Sequence, residues 1–175
     1  MMKIKEYKIT KFRTFRGHDG EGFNATLSRN GKPVALVDDD AYGGNLAFEW
    51  LDNKNGREEH TILDYTGKTV TRRMSAEEHA FYEAYKDMTY VFEYDNSVNQ
   101  HSADTIIGAL IEEYELAKKA KKKTLYKLVD QAGWYSINVP YDARVENHLV
   151  KKYGEKLLTI FNRDGYWKTE TTKKA

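Results

Sequence analysis

An Asn-Gly pair between two apolar runs is the feature that most constrains the fold of this chain. In GFNATLSRNGKPVALVDDD, the first run alternates apolar and polar residues, and the second is apolar and ends in three aspartates. Asn30 and Gly31 suit a type I′ turn, which needs positive φ at both central residues. The sequence therefore predicts an antiparallel hairpin over residues 23–38, in which Phe23 pairs with Asp38.

Strand and helix patterns occur on both sides of this hairpin. Strands are predicted at residues 4–15 with a bulge near Lys11, at 46–51, and in HTILDY, TGKTVT, TLYKLV and WYSINVPY. Helices are predicted after Ser75, whose spacing to Glu78 fits a capping box, over residues 102–123, and from the cap Asp142 to Tyr153. We expect an α+β fold, an antiparallel sheet with about three helices packed on it.

The length of 175 residues corresponds to about one domain. We expect a single α+β domain over residues 1–165, with a subdivision near residue 100 as the alternative. Residues 166–175, YWKTETTKKA, are expected to form a polar C-terminal tail.

Composition excludes several classes of function. The chain has no cysteine, which excludes disulfides, thiolate metal sites and thiol catalysis. The net charge of +1 argues against an acidic nucleic-acid mimic and against a simple polybasic binder. The first segment, MMKIKEYKIT, lacks the apolar run of a signal peptide, and no run is long enough to span a bilayer. We therefore expect a cytoplasmic protein with no membrane contact.

The motifs for catalysis and cofactor binding are absent or incomplete. Gly17, Gly20 and Gly22 precede a strand rather than a helix, so a loop between strands is favoured over a phosphate cradle. TGKT lacks the upstream glycine of a P-loop, and neither an H-E-x-x-H nor a G-x-S-x-G motif occurs. We expect no cofactor, no catalytic residue and no tight metal site.

Binding is a better interpretation of the charged and aromatic residues. Phe12, Arg13, Phe15 and Arg16 combine rings with cations, as nucleic-acid-binding surfaces do. The predicted register gathers aspartates at the open end of the hairpin, where they suit a partner or a hard cation such as Mg²⁺. The candidate binding residues are Phe12, Arg13, Phe15, Arg16, Asp38, Asp39, Asp40, Tyr42, Lys118, Lys119 and Lys122.

The segments KFRTFRG, GEGFNATLSRNGKPVALVDDD, KKTLYKL and KKYGEKL resemble small uncharacterised proteins encoded by bacteriophages and mobile elements. Such proteins often act as accessory factors or as inhibitors of host defence, anti-CRISPR proteins among them. The resemblance implies binding rather than catalysis, and it transfers no residue role. We expect a non-catalytic protein that inhibits or modulates a host protein or nucleoprotein complex. A direct nucleic-acid-binding protein is the alternative, and a metal-dependent phosphoesterase is less favoured.

Overall fold

The predicted hairpin forms the middle of a four-stranded antiparallel sheet. Its strands, which neighbour one another in chain order, are β1 (Tyr7–Arg16), β2 (Glu21–Arg29), β3 (Lys32–Asp39) and β4 (Ala47–Trp50). The structure, a computed structural model, describes residues 3–64, 66–91, 98–129 and 131–167. Among these residues β1 pairs only with β2, so β1 is an edge of the sheet.

The remaining described elements confirm the α+β prediction. They are β5 (Glu58–Leu63), β6 (Thr69–Met74), α1 (Ala76–Tyr85), β7 (Thr89–Val91), β8 (Val98–Gln100), α2 (Ala103–Ala120), β9 (Thr124–Leu128), β10 (Tyr135–Ile137), α3 (Ala143–Tyr153), β11 (Leu157–Ile160) and α4 (Phe161–Asp164). The chain divides into two compact units, Met1–Ile111 and Glu112–Ala175, here called unit 1 and unit 2. None of the helices in the described ranges is both long and apolar enough to cross a membrane.

The turn of the hairpin confirms the sequence prediction. Asn30 has φ 49° and Gly31 has φ 80°, so both central residues adopt the positive φ of a type I′ turn. Arg29 and Lys32 pair across the turn, and the backbone N–H of Asn30 donates to the Glu6 carbonyl at 2.8 Å.

The predicted register beyond the turn is wrong by one residue. Phe23 pairs with Asp39 rather than Asp38, because the register shifts at Val34, which has no partner of its own between two paired residues. A β-bulge of this kind inserts one extra residue into one strand. β3 is an interior strand, and the bulge beside Pro33 accommodates the missing N–H.

The bulge predicted in β1 is confirmed, since the pairing with β2 shifts between Ile9 and Lys11. Beyond it the residues pair continuously with β2, so side chains alternate between the two faces of the sheet. Phe12 and Arg16 therefore share the face that carries the core, and Arg13 and Phe15 share the opposite face.

Helix α1 packs against both the four-stranded sheet and the β5–β6 hairpin within unit 1. Its capping box is confirmed, because the Glu78 N–H donates to the Ser75 hydroxyl and the Glu78 carboxylate accepts from the Ser75 N–H. Phe81 packs against Tyr7 and Trp50 of the sheet, with ring centroids 5.0 and 5.9 Å away. Tyr82 packs with Ile62 and Met74 of the hairpin.

Unit 2 has its own small core. Strands β10, β9 and β11 form an antiparallel sheet in that order, and β9 and β10 lie in the segments TLYKLV and WYSINVPY that were predicted as strands. Tyr126 and Leu128 of β9 pack with Leu149 of α3 and Ile160 of β11. Asp142 caps α3 as predicted, since its carboxylate accepts from the backbone N–H groups of residues 144 and 145.

The predicted polar tail begins with two buried side chains. Tyr166 is 7% exposed and Trp167 is 3% exposed. The Trp167 indole N–H donates to the Glu113 carboxylate at 3.0 Å. Residues 168–175 of the predicted tail lie outside the described residues.

Candidate recognition surface at the open end of the sheet

Two loops of unit 1 meet at the end of the sheet opposite the Asn30-Gly31 turn. Loop 17–20 joins β1 to β2, and segment 40–42 follows β3. The Asp19 N–H donates to the Ala41 carbonyl at 2.9 Å, and the Gly17 N–H donates to the Gly20 carbonyl at 2.8 Å. Backbone hydrogen bonds therefore fix loop 17–20 both internally and against the neighbouring segment.

Close packing explains two of the three glycines in this region. A Cβ on Gly17 would lie 2.4 Å from the Cβ of Ala41. A Cβ on Gly22 would lie 2.4 Å from the Asp39 carbonyl oxygen and 2.7 Å from the Phe15 ring. Both positions exclude any larger residue. The glycines therefore let the two loops and the Phe15 ring approach the backbone, in agreement with a loop between strands.

The three consecutive aspartates bond to neighbouring backbone and amide groups. The Asp39 carboxylate accepts from the Ala41 N–H at 2.9 Å, and the Asp40 carboxylate accepts from the Tyr42 N–H at 3.0 Å. Asp38 accepts from the side-chain amide of Asn24. These bonds hold segment 40–42 in shape, including Ala41 at a φ of 59°. Within the described ranges, no three His, Asp or Glu side chains are grouped as metal ligands.

Two aromatic side chains project from this end of the sheet. Tyr42 is 65% exposed, and its ring stacks on the ring of His18, with centroids 6.0 Å apart and planes 7° apart. His18 Nδ1 lies 2.7 Å from the Asp19 carboxylate. Phe15 is 40% exposed and lies over Gly22. The Tyr42 and His18 rings thus lie on loops whose backbone is fixed by hydrogen bonds, and the Phe15 ring lies on the paired strands β1 and β2.

The side chains of the two Phe-Arg pairs are divided between the two faces of the sheet. Arg13 and Phe15 occupy the face of the sheet opposite the core, whereas Arg16 lies on the core face beyond the buried part. Phe12 packs on Phe23, with ring centroids 5.6 Å apart. Neither arginine forms a hydrogen bond or ion pair with another residue that the structure describes, so both guanidinium groups are available to a partner.

We call this region the sheet-end surface. It consists of Arg13, Phe15, Arg16, His18, Asp19, Glu21, Asp40 and Tyr42. Three members of this surface, His18, Asp19 and Glu21, are not among the candidate binding residues predicted from the sequence. His18 and its stacking partner Tyr42 are 24 positions apart in the chain, and no local pattern pairs the two rings.

The candidate lysines belong to unit 2. Lys118 bonds to the Glu115 carboxylate at 3.0 Å, and its ammonium group lies 4.4 Å from the centre of the Tyr114 ring. Lys119 in the last turn of α2 and Lys122 after it are exposed. The remaining candidate binding residues all belong to unit 1.

Comparison with known proteins finds no matching family model, curated protein or solved structure.

Proposed function

We propose that this protein is a non-catalytic binding protein that grips a protein or nucleoprotein partner through the sheet-end surface. The observation that carries the proposal is Tyr42, which is 65% exposed, stacked on His18 and placed on a hydrogen-bonded segment. Tyrosine, tryptophan and arginine supply most energetic hot spots of protein interfaces. A ring whose backbone is already ordered loses little conformational entropy on binding.

The charges around Tyr42 favour a protein partner over a phosphate backbone. Asp19 and Glu21 are exposed carboxylates on the same loop region that carries Arg16. Carboxylates within about one Debye length, roughly 8 Å at physiological salt, repel a polyanion. Mixed charge instead favours one orientation of a complementary protein surface.

The resemblance to phage-encoded proteins indicates the kind of partner. A small protein of that class acts inside the host cell, where it inhibits or modulates a host protein or nucleoprotein complex. An anti-CRISPR protein is one example of such an inhibitor. An exposed rigid surface with no metal-ligand group among the described residues suits this mode of action.

Affinity capture from bacterial lysate, with and without nuclease, tests the proposal. Tyr42→Ala should reduce the captured partner at least about tenfold, since a hot-spot residue contributes about 2 kcal/mol or more. Tyr135→Ala, which removes a 37% exposed tyrosine in unit 2, is the matched control and should change capture less than about twofold. Equal capture by the wild type and Tyr42→Ala would contradict the proposal.

Single charge reversals then locate the partner on the surface. Arg13→Glu and Arg16→Glu reverse the same charge on opposite faces of β1. A partner that covers the end of the sheet loses affinity with both changes. A partner that lies on the face opposite the core loses affinity with Arg13→Glu alone. Partner loss on nuclease treatment would show that the captured species is a nucleoprotein.

Direct nucleic-acid binding through unit 2 is the second candidate. Residues 112–175 contain 14 basic and 9 acidic side chains, a net charge of +5. Several of the carboxylates are engaged within the unit, as Glu146 and Asp164 are with Arg163. Lys119 and Lys122 form no side-chain hydrogen bond or ion pair with the described residues. The positive field of unit 2 is therefore carried by side chains that a polyanion can reach.

Fluorescence anisotropy with a labelled single-stranded oligonucleotide tests this candidate. Lys119→Glu with Lys122→Glu should weaken binding and reduce the slope of log K against log salt by about 1.4, from about 0.7 per lost phosphate contact on a single strand. Under the first proposal, binding to naked DNA is weak in the wild type and fades steeply with salt. Tight binding in the wild type, with a salt slope that falls in the double variant, would favour the second candidate.

A further inference from the structure

Unit 1 contains a cavity of about 750 Å³ that the sheet-end surface does not use. It lies among β4, the β5–β6 hairpin, α1 and the first turn of α2. Binding cavities for drug-sized molecules measure about 300–1,000 Å³. The cavity therefore has the size of a small-molecule site.

One wall of this cavity is aromatic. Phe48 and Trp50 are two positions apart in β4, so their side chains lie on the same face of the strand. Their rings are nearly parallel, with centroids 5.9 Å apart and planes 8° apart. Phe81 and Tyr85 of α1 add two further rings, which meet edge to face at 5.2 Å. Flat rings of this kind pack well on a planar apolar molecule.

The charged groups that line the cavity form hydrogen bonds or ion pairs with other described groups, except for Arg72. Arg57 bonds to Glu78 at 2.6 Å, and Lys86 bonds to Glu83 at 2.9 Å. Asp64 also lines the cavity, and its carboxylate accepts from two backbone N–H groups of its own turn.

The carboxylate of Asp104, which also lines the cavity, accepts from the Leu46 N–H at 3.3 Å. Arg72 lines the cavity and forms no hydrogen bond or ion pair with the part of the chain that the structure describes. Burial raises the pKa of the Tyr85 hydroxyl, and the positive charge of Arg72 opposes that rise.

We propose that this cavity binds a small amphipathic anion, a planar apolar body with one carboxylate, sulfonate or phosphate group. The body would pack on Phe48 and Trp50, and the anionic group would pair with Arg72. A guanidinium with no partner among the described residues, in a cavity with an aromatic wall, is complementary to this class of ligand, because it offers charge-assisted hydrogen bonds at one end only. The site is independent of the proposed partner surface.

Two dyes that differ in one group test the proposal. The first is 8-anilinonaphthalene-1-sulfonate, a planar anion, and the second is N-phenyl-1-naphthylamine, the same ring system without the sulfonate. Fluorescence titration of the full chain should give saturable binding of the anion with one site per chain. Arg72→Gln should raise its Kd at least about tenfold, since a hydrogen bond to a charged group is worth that much. The Kd of the neutral dye should change less than about twofold.

Arg73→Gln is the matched control. Arg73 is adjacent on β6, and its side chain bonds to the Arg57 carbonyl and does not line the cavity. This change removes the same charge from the same strand and should leave both values of Kd within about twofold. Phe48→Leu, which alters the aromatic wall, should weaken both dyes together.

Three results would overturn the proposal. The first is no saturable binding of the anionic dye to the folded protein. The second is an unchanged Kd in Arg72→Gln, and the third is an equal loss in Arg73→Gln. Unfolding curves in urea, recorded for each variant, show that any loss of dye binding occurs in a folded chain.

Discussion

The two ends of the β2–β3 hairpin are built differently. The turn end uses the residues that a type I′ turn needs, and Arg29 secures it by bonding to Glu6 at 3.0 Å and to Glu77 at 3.4 Å. At the open end no turn joins β2 to β3, and contacts between loop 17–20 and segment 40–42 fix the backbone instead. The turn end therefore contributes stability by local chemistry, whereas the open end presents exposed rings on a backbone fixed by contacts between distant residues.

Gly22→Ala should show how tightly the open end is packed. The new Cβ would lie 2.4 Å from the Asp39 carbonyl oxygen and would displace the Phe15 ring. We expect the free energy of unfolding to fall by about 3 kcal/mol, measured by urea denaturation. Gly108→Ala in α2 is the control, because its Cβ meets no atom within 4 Å. That change should raise stability by about 0.5–1 kcal/mol, and a loss below 1 kcal/mol in Gly22→Ala would contradict the packing argument.

Gly31→Val should weaken the turn end. Gly31 has φ 80°, a conformation that a β-branched residue rarely adopts, so we expect a loss of about 2 kcal/mol in the free energy of unfolding. Gly31→Asn is the control, because asparagine tolerates positive φ and should lose less than about 1 kcal/mol. Partner capture by the folded Gly31→Val variant should match the wild type. A loss of capture would mean that the two ends are not separate in function.

Tyr7→Phe tests the core beside the turn end. The Tyr7 hydroxyl is buried with no hydrogen-bond partner among the described groups, so its removal should change stability at neutral pH by less than about 0.5 kcal/mol.

The effect of Tyr7→Phe should grow at high pH. Burial raises the pKa of Tyr7 to about 12 from 10.0, so the folded chain holds this proton more strongly than the unfolded chain does. Its contribution to stability is present below pH 10 and is lost as the pH rises through about 12. Tyr7→Phe should therefore make stability fall less steeply in this window, and an unchanged slope would contradict the assignment.

Tyr42→Ala should separate binding from stability at the open end, since its effect on the free energy of unfolding is expected to be the smallest. The ring is exposed and contacts His18, so we expect a change below about 0.5 kcal/mol in the free energy of unfolding. The same variant should lose partner capture, as described above. A large loss of stability would instead make Tyr42 a structural residue.

Local chemistry explains which parts of the fold could be predicted from the sequence. The Asn30-Gly31 turn, the capping box of Ser75 and the Asp142 cap each depend on residues within a few positions of one another. The bulge near Lys11 was visible because the apolar positions change parity around it. These features need no knowledge of distant contacts.

The register and the candidate site needed more than local chemistry. Pro33 cannot donate to the ladder and so allows either an edge strand or a bulge, and the bulge at Val34 moves every later pair of the hairpin. The contact of Asp19 with Ala41 and the stack of His18 on Tyr42 join residues 22 and 24 positions apart, which local patterns do not pair. By contrast, the opposite faces of Arg13 and Arg16 follow from their spacing of three in a strand.

The edge position of β1 has a consequence for how the protein behaves at high concentration. A ten-residue edge strand offers unpaired backbone groups to a second chain, and growth by strand addition is the usual route to aggregation. Exposed cations at Lys11, Arg13 and Arg16 oppose such growth, because two identical edges would repel each other. Neutral substitutions there would remove this protection together with any partner contact. A single reversal to glutamate keeps a charged side chain on the edge strand and is therefore the cleaner probe of binding.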